Sequence, residues 1–97
     1  MIYHVTTKKM HDAAAKSGFY EAPSLHTEGF IHACSAEQVP GVLERYYPDK
    51  TDLFILHIDE ARLTSMLKYE LAPSVNEMFP HIFGVINIDA VVRIEEL

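Results

Sequence analysis

The chain has 97 residues, of which 48% are hydrophobic and 23% are charged, and these are values of an ordinary globular domain rather than of a disordered chain. Eight Lys and Arg against fourteen Asp and Glu give a formal net charge of -6, which argues against sequence-independent nucleic-acid binding. A single cysteine excludes an internal disulfide, and neither a signal segment nor an apolar run of membrane-spanning length is present, so we expect one cytoplasmic domain over residues 1–97.

The first predicted elements are a strand and a helix. β-Branched and aromatic residues at 2–6 favour a strand, in which His4 and Thr6 share one face. A helix follows over residues 8–17, because the threonines before it can cap its first turn and Gly18 can supply the left-handed residue that ends it.

The next predicted elements are a connection, a strand and a second helix. Residues 19–27 lack a sustained period and contain a proline, which indicates an extended connection, whereas residues 29–34 favour a second strand. Ser35 and Gln38 have the spacing of a capping box. Because Pro40 has no N–H for the helix interior, we expect the helix proper to begin near it.

The second half of the chain predicts more strand than helix. The apolar run at 53–58 predicts a central strand covered on both faces, and Asp59 can cap a short third helix. A further short strand is expected at 69–71, and a last one at 88–97. Prolines, a glycine and asparagines at 72–87 indicate turns. The pattern predicts a small α+β domain with about five strands in a split or mixed sheet and two to three helices.

Six histidines are many for this length, and three of them occupy informative positions. His4 and His32 both project from predicted strands, and both rings can face one cleft if those strands are neighbours. His81 lies in the segment "FPHIFG", which we predict to be a loop whose aromatic rings stack on a planar ligand. The alternative remains open that these are structural histidines bonded to backbone carbonyls and that the loop simply packs on the core.

The sequence also bears on a catalytic carboxyl group, a thiol nucleophile, a metal site and a phosphate-binding loop. Glu70 lies in a semi-apolar stretch, where burial can raise a carboxyl pKa, although a solvated strand-end charge is the alternative. Cys34 fits a buried packing residue better than a nucleophile. A metal held by the three histidines, Cys34 and Glu70 is a further alternative, but the spacing matches no metal-binding motif and we expect no metal. The four dispersed glycines exclude a phosphate-binding loop.

Several segments taken together resemble one bacterial family. They are "IYHVT" at 2–6, "SLHTEGFIHACS" at 24–35 and "FPHIFG" at 79–84, together with Glu37-Gln38-Val39, Glu70 and Asn87. In this order they resemble the family called domain of unknown function 952, over essentially the whole chain. The resemblance implies a small relative of the ADP-ribosyltransferase fold, which is a split β-sheet with a cleft that binds NAD in active relatives.

The resemblance also implies a set of site residues. The implied catalytic residues are His4, His32, Glu70 and His81. The implied ligand-binding residues are Thr6, Ser24, Phe79, Pro80, Phe83, Gly84 and Asn87. In this scheme the histidines orient ribose hydroxyls, Glu70 promotes an oxocarbenium-like transition state, and a phenylalanine stacks on the ligand.

The implied ligand is NAD, ADP-ribose or another nucleotide-type small molecule, with transfer or hydrolysis at the ribose. The chain departs from active transferases because it is short and acidic and lacks a clear arginine set for a pyrophosphate. The alternative is a non-enzymatic binding or interaction module that keeps the fold without catalysis. We expect no nucleic-acid or membrane partner, and a monomer or weak homodimer.

Overall fold

The chain forms eight strands and three α-helices, and the computed structural model describes all of residues 1–97. The elements are β1 (Ile2–Thr7), α1 (Lys8–Ser17), β2 (Phe19–Tyr20), α2 (Pro23–Thr27), β3 (Ile31–His32), α3 (Val39–Tyr46), β4 (Leu53–Ile58), β5 (Met66–Ala72), β6 (Glu77–Phe83), β7 (Ile86–Asn87) and β8 (Val91–Glu96). Single 3-10 turns cover Ala36–Gln38, Glu60–Arg62 and Ile88–Ala90.

The strands form three antiparallel sheets with the orders β1-β4-β8, β2-β7 and β3-β6-β5. One bridge joins the first and third sheets, because Tyr3 and Cys34 each donate a backbone N–H to the other's carbonyl at 2.8 Å. The predicted α+β class and split sheet are confirmed. The strands are more numerous than the predicted five and none pairs in parallel, since two-residue pairings such as β2-β7 leave no periodic signal in the sequence.

β4 is the central strand of the first sheet, and its bounds agree with the prediction. Leu56 and Ile58 face the main core together with residues of the third sheet. Leu53 and Ile55 face the other way, into a smaller cluster that α3 covers. The strand is therefore covered on both faces, which explains why its sequence shows no alternation.

The first helix is also confirmed. Thr7 caps α1, because its hydroxyl oxygen accepts a hydrogen bond from the Met10 N–H at 3.2 Å, and Gly18 ends it at a φ of 93°. The Ser35 N–H donates to the Gln38 side-chain oxygen at 2.9 Å, so this half of the capping box holds a 3-10 turn, and α3 begins one residue before Pro40.

Three predictions for the middle of the chain are wrong in whole or in part. Residues 19–27 are not an extended connection: they form β2 and α2, and Pro23 opens the helix at a position where no N–H is needed. The strand expected at 29–34 is only two residues long, with Cys34 pairing separately. Asp59 does cap a turn, but that turn is a single 3-10 turn, and Met66 begins β5 instead of continuing a helix.

The segment "FPHIFG" is not a loop, contrary to the prediction. It forms most of β6, the central strand of the third sheet. Pro80 is tolerated there because its carbonyl accepts from the Ala33 N–H at 3.1 Å, so its nitrogen faces the β3 side, where only a short pairing exists. The proline that suggested a turn therefore removes no hydrogen bond between β6 and β5.

The helices are short, and none is long and apolar enough to cross a membrane.

Candidate functional site

The ring of His4, in β1, is held by a hydrogen bond to the main chain of β3. Its Nδ1 lies 2.6 Å from the carbonyl oxygen of His32, and the residue is only 9% exposed. A carbonyl oxygen can only accept, so Nδ1 carries the proton and donates it. The hydrogen bond therefore fixes both the tautomer and the orientation of the ring.

The second ring nitrogen of His4 is open. The structure leaves no buried side-chain nitrogen or oxygen without a partner, and His4 is bonded through Nδ1 alone, so Nε2 reaches accessible space. Burial lowers the pKa of His4, while the bond to the His32 carbonyl opposes this effect only in part. His4 is thus a neutral imidazole that presents a lone pair.

A cavity of about 520 Å³ lies beside His4, at the edge of β1 and between α2, β3 and α3. This volume is in the range of small-molecule sites. Its polar side chains are His4, Ser24, Glu28, His32 and Cys34. Its larger apolar and aromatic side chains are Tyr3, Val5, Val42, Tyr46 and Tyr47.

The charge of the cavity is determined by one carboxylate. None of its thirteen lining residues is Lys or Arg, and Glu28 is the only Asp or Glu among them. Arg45 lies beside one of the lining residues, since its Cζ is 5.8 Å from the ring centroid of Tyr46. Burial raises the pKa of the Cys34 thiol to about 11, so Cys34 stays protonated at neutral pH and is a packing residue, as the sequence indicated.

A second cluster lies on the outer face of the third sheet. Nδ1 of His81 lies 2.8 Å from Oε1 of Glu70, and the phenyl ring of Phe30 stacks on the imidazole with centroids 4.0 Å apart and planes at 16°. Phe83 also contacts Phe30, with the ring centroids 5.5 Å apart and the planes tilted at 52°. The cluster is a histidine and carboxylate pair covered by an aromatic ring.

His32 connects the cavity and the outer cluster. Its Nε2 lies 3.0 Å from Oε2 of Glu28, and its ring centroid lies 5.5 Å from that of His81 in an edge-to-face arrangement. The two histidines face each other across β3 and β6, where they are register partners. Although the cluster is rich in His and Glu, no group of three or more His, Cys, Asp or Glu side chains is arranged to hold a metal ion.

The remaining residues of the implied site are dispersed. Thr6 is buried in β1 but does not line the cavity, and Phe79 and Pro80 are buried in β6 outside it. Asn87 uses its amide to hold the main chain of Arg62 at 2.9 Å and of Thr64 at 3.1 Å.

Gly84 has a structural role. Its φ is 155°, and a Cβ there would lie 2.4 Å from the Ser65 hydroxyl oxygen, so the position leaves no room for a side chain. Its place in "FPHIFG" therefore reflects close packing against the start of β5 rather than contact with a ligand.

Sequence reasoning missed two residues that organise these clusters. Phe30 stacks on His81, and Glu28 pairs with His32, yet neither was among the implied site residues. The spacing of four between Glu28 and His32 predicts a pair only within a helix, and His32 lies in β3, so the sequence carries no signal for it. No sequence signal placed Phe30 on His81, because β6 was not recognised as a strand.

Comparison with known proteins finds a matching family model and similar solved structures. A family model described as "Protein of unknown function (DUF952)" matches residues 5–94. The crystal structure of protein CC0527 from Caulobacter crescentus is 26% identical to the chain, with a TM-score of 0.90, over 99% of this chain and 84% of that one.

The solution NMR structure of CC0527 is similar at a TM-score of 0.84 and 26% identity, over 99% and 83% of the two chains. No curated protein matches the sequence significantly. Because the family model covers almost all of the chain, this protein belongs to the DUF952 family.

Proposed function

We propose that the cavity beside His4 binds a nucleotide-type small molecule, of the class of NAD and ADP-ribose, with a ribose hydroxyl against Nε2 of His4. The observation that carries the proposal is the His4 ring itself. Its Nδ1 is committed to the His32 carbonyl at 2.6 Å, and its Nε2 is left open. A neutral imidazole fixed in this way is suited to accept a hydrogen bond or a proton from a hydroxyl group.

The size and lining of the cavity support a planar, partly apolar ligand. About 520 Å³ accommodates a nucleoside, and the rings of Tyr3, Tyr46 and Tyr47 offer aromatic surface for a base. Ser24 adds a hydroxyl group that can both donate and accept. In this proposal the stacking role assigned to the phenylalanines of "FPHIFG" passes to the tyrosines.

The charges indicate which part of the ligand the cavity holds. Without Lys or Arg in the lining, a pyrophosphate has no cationic partner inside the cavity. Arg45, next to Tyr46, is the cation that a phosphate extending outward would meet. The base and ribose therefore supply most of the affinity, and the phosphates lie at the mouth of the cavity.

Chemistry at the ribose, by analogy with the ADP-ribosyltransferase fold, is the catalytic form of this proposal. Glu28 lines the cavity and is bonded to His32, whereas Glu70 does not line it, so Glu28 takes the role first assigned to Glu70. In the hydrolytic form, the bond between ribose C1′ and the nicotinamide nitrogen breaks and nicotinamide leaves, while the oxygen of a water molecule bonds to C1′ and that water loses a proton. The Glu28 carboxylate would stabilise the positive charge that develops on the ribose, and His4 would hold a ribose hydroxyl in place.

Binding without catalysis is the second candidate. It is favoured by the protonated Cys34, which removes the thiol as a nucleophile, and by the lack of a cation within the lining. In both candidates the protein acts in the cytoplasm, consistent with a single unpaired cysteine.

The test of binding is an NMR titration with adenosine, nicotinamide riboside, ADP-ribose and NAD. We expect the nucleosides to shift the ring signals of His4 and His32, while the signals of His11 in α1 stay in place. His4→Asn keeps an N–H for the His32 carbonyl but removes the open acceptor, so it should weaken nucleoside binding about tenfold. His4→Gln, which keeps an acceptor near the Nε2 position, should lose less.

A second pair of variants tests the position of the phosphates. Arg45→Ala should weaken ADP-ribose binding about tenfold and leave adenosine binding unchanged. Arg93→Ala, in β8, is the matched control and should change neither. Absence of any shift with millimolar nucleoside or dinucleotide would remove the proposal. Release of nicotinamide from NAD, lost in Glu28→Gln, would select the catalytic form, and binding without release the second candidate.

A further inference from the structure

β5 is an open edge of the third sheet. The strand spans Met66–Ala72 and pairs on one side only, with β6. Five of its seven residues are exposed, and Tyr69 and Leu71 are 52% and 53% exposed although both are hydrophobic. A long unprotected edge strand presents unpaired N–H and C=O groups to a partner strand.

The hydrogen bonds of β6 show which groups of β5 face outward. The Pro80 carbonyl accepts from Ala33 on the β3 side, so the main chain of the next residue, His81, faces β5. Lys68 is the register partner of His81 and therefore faces β6. The main-chain groups that face the open side belong to the alternate residues Leu67, Tyr69 and Leu71.

The sequence of β5 is complementary to itself in one antiparallel register. With a two-fold axis at Tyr69, Lys68 lies opposite the partner's Glu70, and Leu67 lies opposite the partner's Leu71. The two Tyr69 main chains then exchange both hydrogen bonds. We propose that the protein associates into a symmetric homodimer through β5, which joins two three-stranded sheets into one sheet of six strands.

Other registers are disfavoured by charge. The alternation of main-chain groups requires a shift of two residues between registers. A shift in one direction places Lys68 opposite the partner's Lys68, and a shift in the other places Glu70 opposite the partner's Glu70. Like charges directly opposite one another destabilise a sheet, so the register centred on Tyr69 is favoured over both of its neighbours.

Two other long strands lie at sheet edges, and neither offers such an edge. The open side of β1 is partly occupied, because Tyr3 pairs there with Cys34. β8 has a register irregularity opposite His57 and Ile58, and it ends in the adjacent Glu95 and Glu96. Bulges and charges of one sign are devices that keep edge strands from pairing. Charge complementarity in a regular strand is therefore specific to β5.

The dimer would also add a residue to the outer cluster. Glu70 accepts the hydrogen bond from His81 at 2.8 Å, and the proposed register brings the partner's Lys68 to the same carboxylate. Glu70 would then hold an imidazole of its own chain and an ammonium group of the other. Association and the environment of His81 are thus coupled.

Sedimentation equilibrium of single and mixed charge variants tests the proposal. Lys68→Glu and Glu70→Lys each place like charges opposite one another in their own homodimers, so each alone should dimerise at least about tenfold more weakly than the wild type. An equimolar mixture restores both opposite-charge pairs and should regain wild-type association. Lys50→Glu, in the turn before β4, is the matched charge control and should dimerise normally.

Tyr69→Pro is an independent variant. It removes an N–H that faces the open edge and none that faces β6, so it should be folded by circular dichroism and monomeric. A wild-type chain that remains monomeric up to about 1 mM would overturn the proposal. So would a dimer that persists in Lys68→Glu and Tyr69→Pro, because that dimer would use another surface.

Discussion

His4 and His81 lie on strands of two different sheets, and each is bound through Nδ1. The acceptor for His4 is a main-chain carbonyl, whereas the acceptor for His81 is the carboxylate of Glu70. A carbonyl fixes the tautomer but provides no counter-charge, while a carboxylate can form an ion pair with a protonated ring. Both residues are 9% exposed, so the two sites differ in the hydrogen-bond partner of the ring rather than in its burial.

The largest expected effect concerns the stability that the His4 ring provides. His4→Ala removes a buried ring and leaves the His32 carbonyl without its partner, so it should lower the free energy of unfolding by about 2–4 kcal/mol. His4→Asn retains the N–H donor and should lose about 1 kcal/mol less. Urea unfolding of the two variants measures this difference, and equal losses would show that the hydrogen bond contributes nothing.

The second effect tests whether the surroundings of Cys34 are as poorly solvated as the lowered pKa of the neighbouring cavity residue His4 indicates. Because the pKa of Cys34 is raised to about 11, its thiolate fraction at pH 8 is about a hundredfold below that of an exposed thiol. Alkylation by iodoacetamide should be slower by at least about this factor in the native chain than in urea. Comparable rates in the two states would mean that Cys34 is solvated.

The third effect is the pH dependence of stability that follows from the burial of the His4 ring, which the bond to the His32 carbonyl opposes only in part. Its pKa is lowered in the folded chain, so the unfolded chain binds the proton more readily. The free energy of unfolding therefore has its full value above about pH 6.5, and it declines as the pH falls below that value.

Urea unfolding at a series of pH values should show this decline, and His4→Asn should make it shallower. The change in the free energy of unfolding with pH should differ least between the two proteins above pH 7, where the His4 ring is neutral in the folded and in the unfolded chain. An identical slope in the two proteins across the whole range would contradict the assignment.

The smallest effect concerns the aromatic cover of His81, which His4 lacks. Phe30 stacks on the imidazole at 4.0 Å between centroids. Phe30→Leu should lose the stacking, and a double-mutant cycle with His81→Gln should give a coupling of about 0.5–1.5 kcal/mol. A cycle of Phe30→Leu with His4→Asn serves as the control and should give no coupling.

Elements with a clear local sequence signal could be predicted, whereas elements with an ambiguous signal could not. α1 was bounded correctly by its cap and its terminal Gly18, and β4 by its apolar run. β6 could not be predicted because a proline such as Pro80 normally indicates a turn. It fits a strand here only because its nitrogen, which has no N–H, faces the short pairing with β3. α2 was missed for a related reason, since Pro23 opens a helix as readily as it ends one.

The candidate site was predicted in part. His4, Ser24 and His32 line one cavity, and Glu70 and His81 form a pair nearby, but Thr6, Pro80 and Asn87 have no place in either group. The partners of these histidines could not be read from the sequence, because a His32 carbonyl and a Phe30 ring become neighbours only after β1, β3 and β6 assemble.

The sequence by itself determined the α+β class, the first helix, the central strand and the residues able to carry chemistry, because caps, periodicity and side-chain type act over a few neighbouring positions. The tertiary structure alone decided that His4 is a neutral acceptor, that Glu28 rather than Glu70 lines the cavity, and that β5 is an open edge. Those properties depend on which atoms from distant parts of the chain come within hydrogen-bonding distance and on which remain exposed to water.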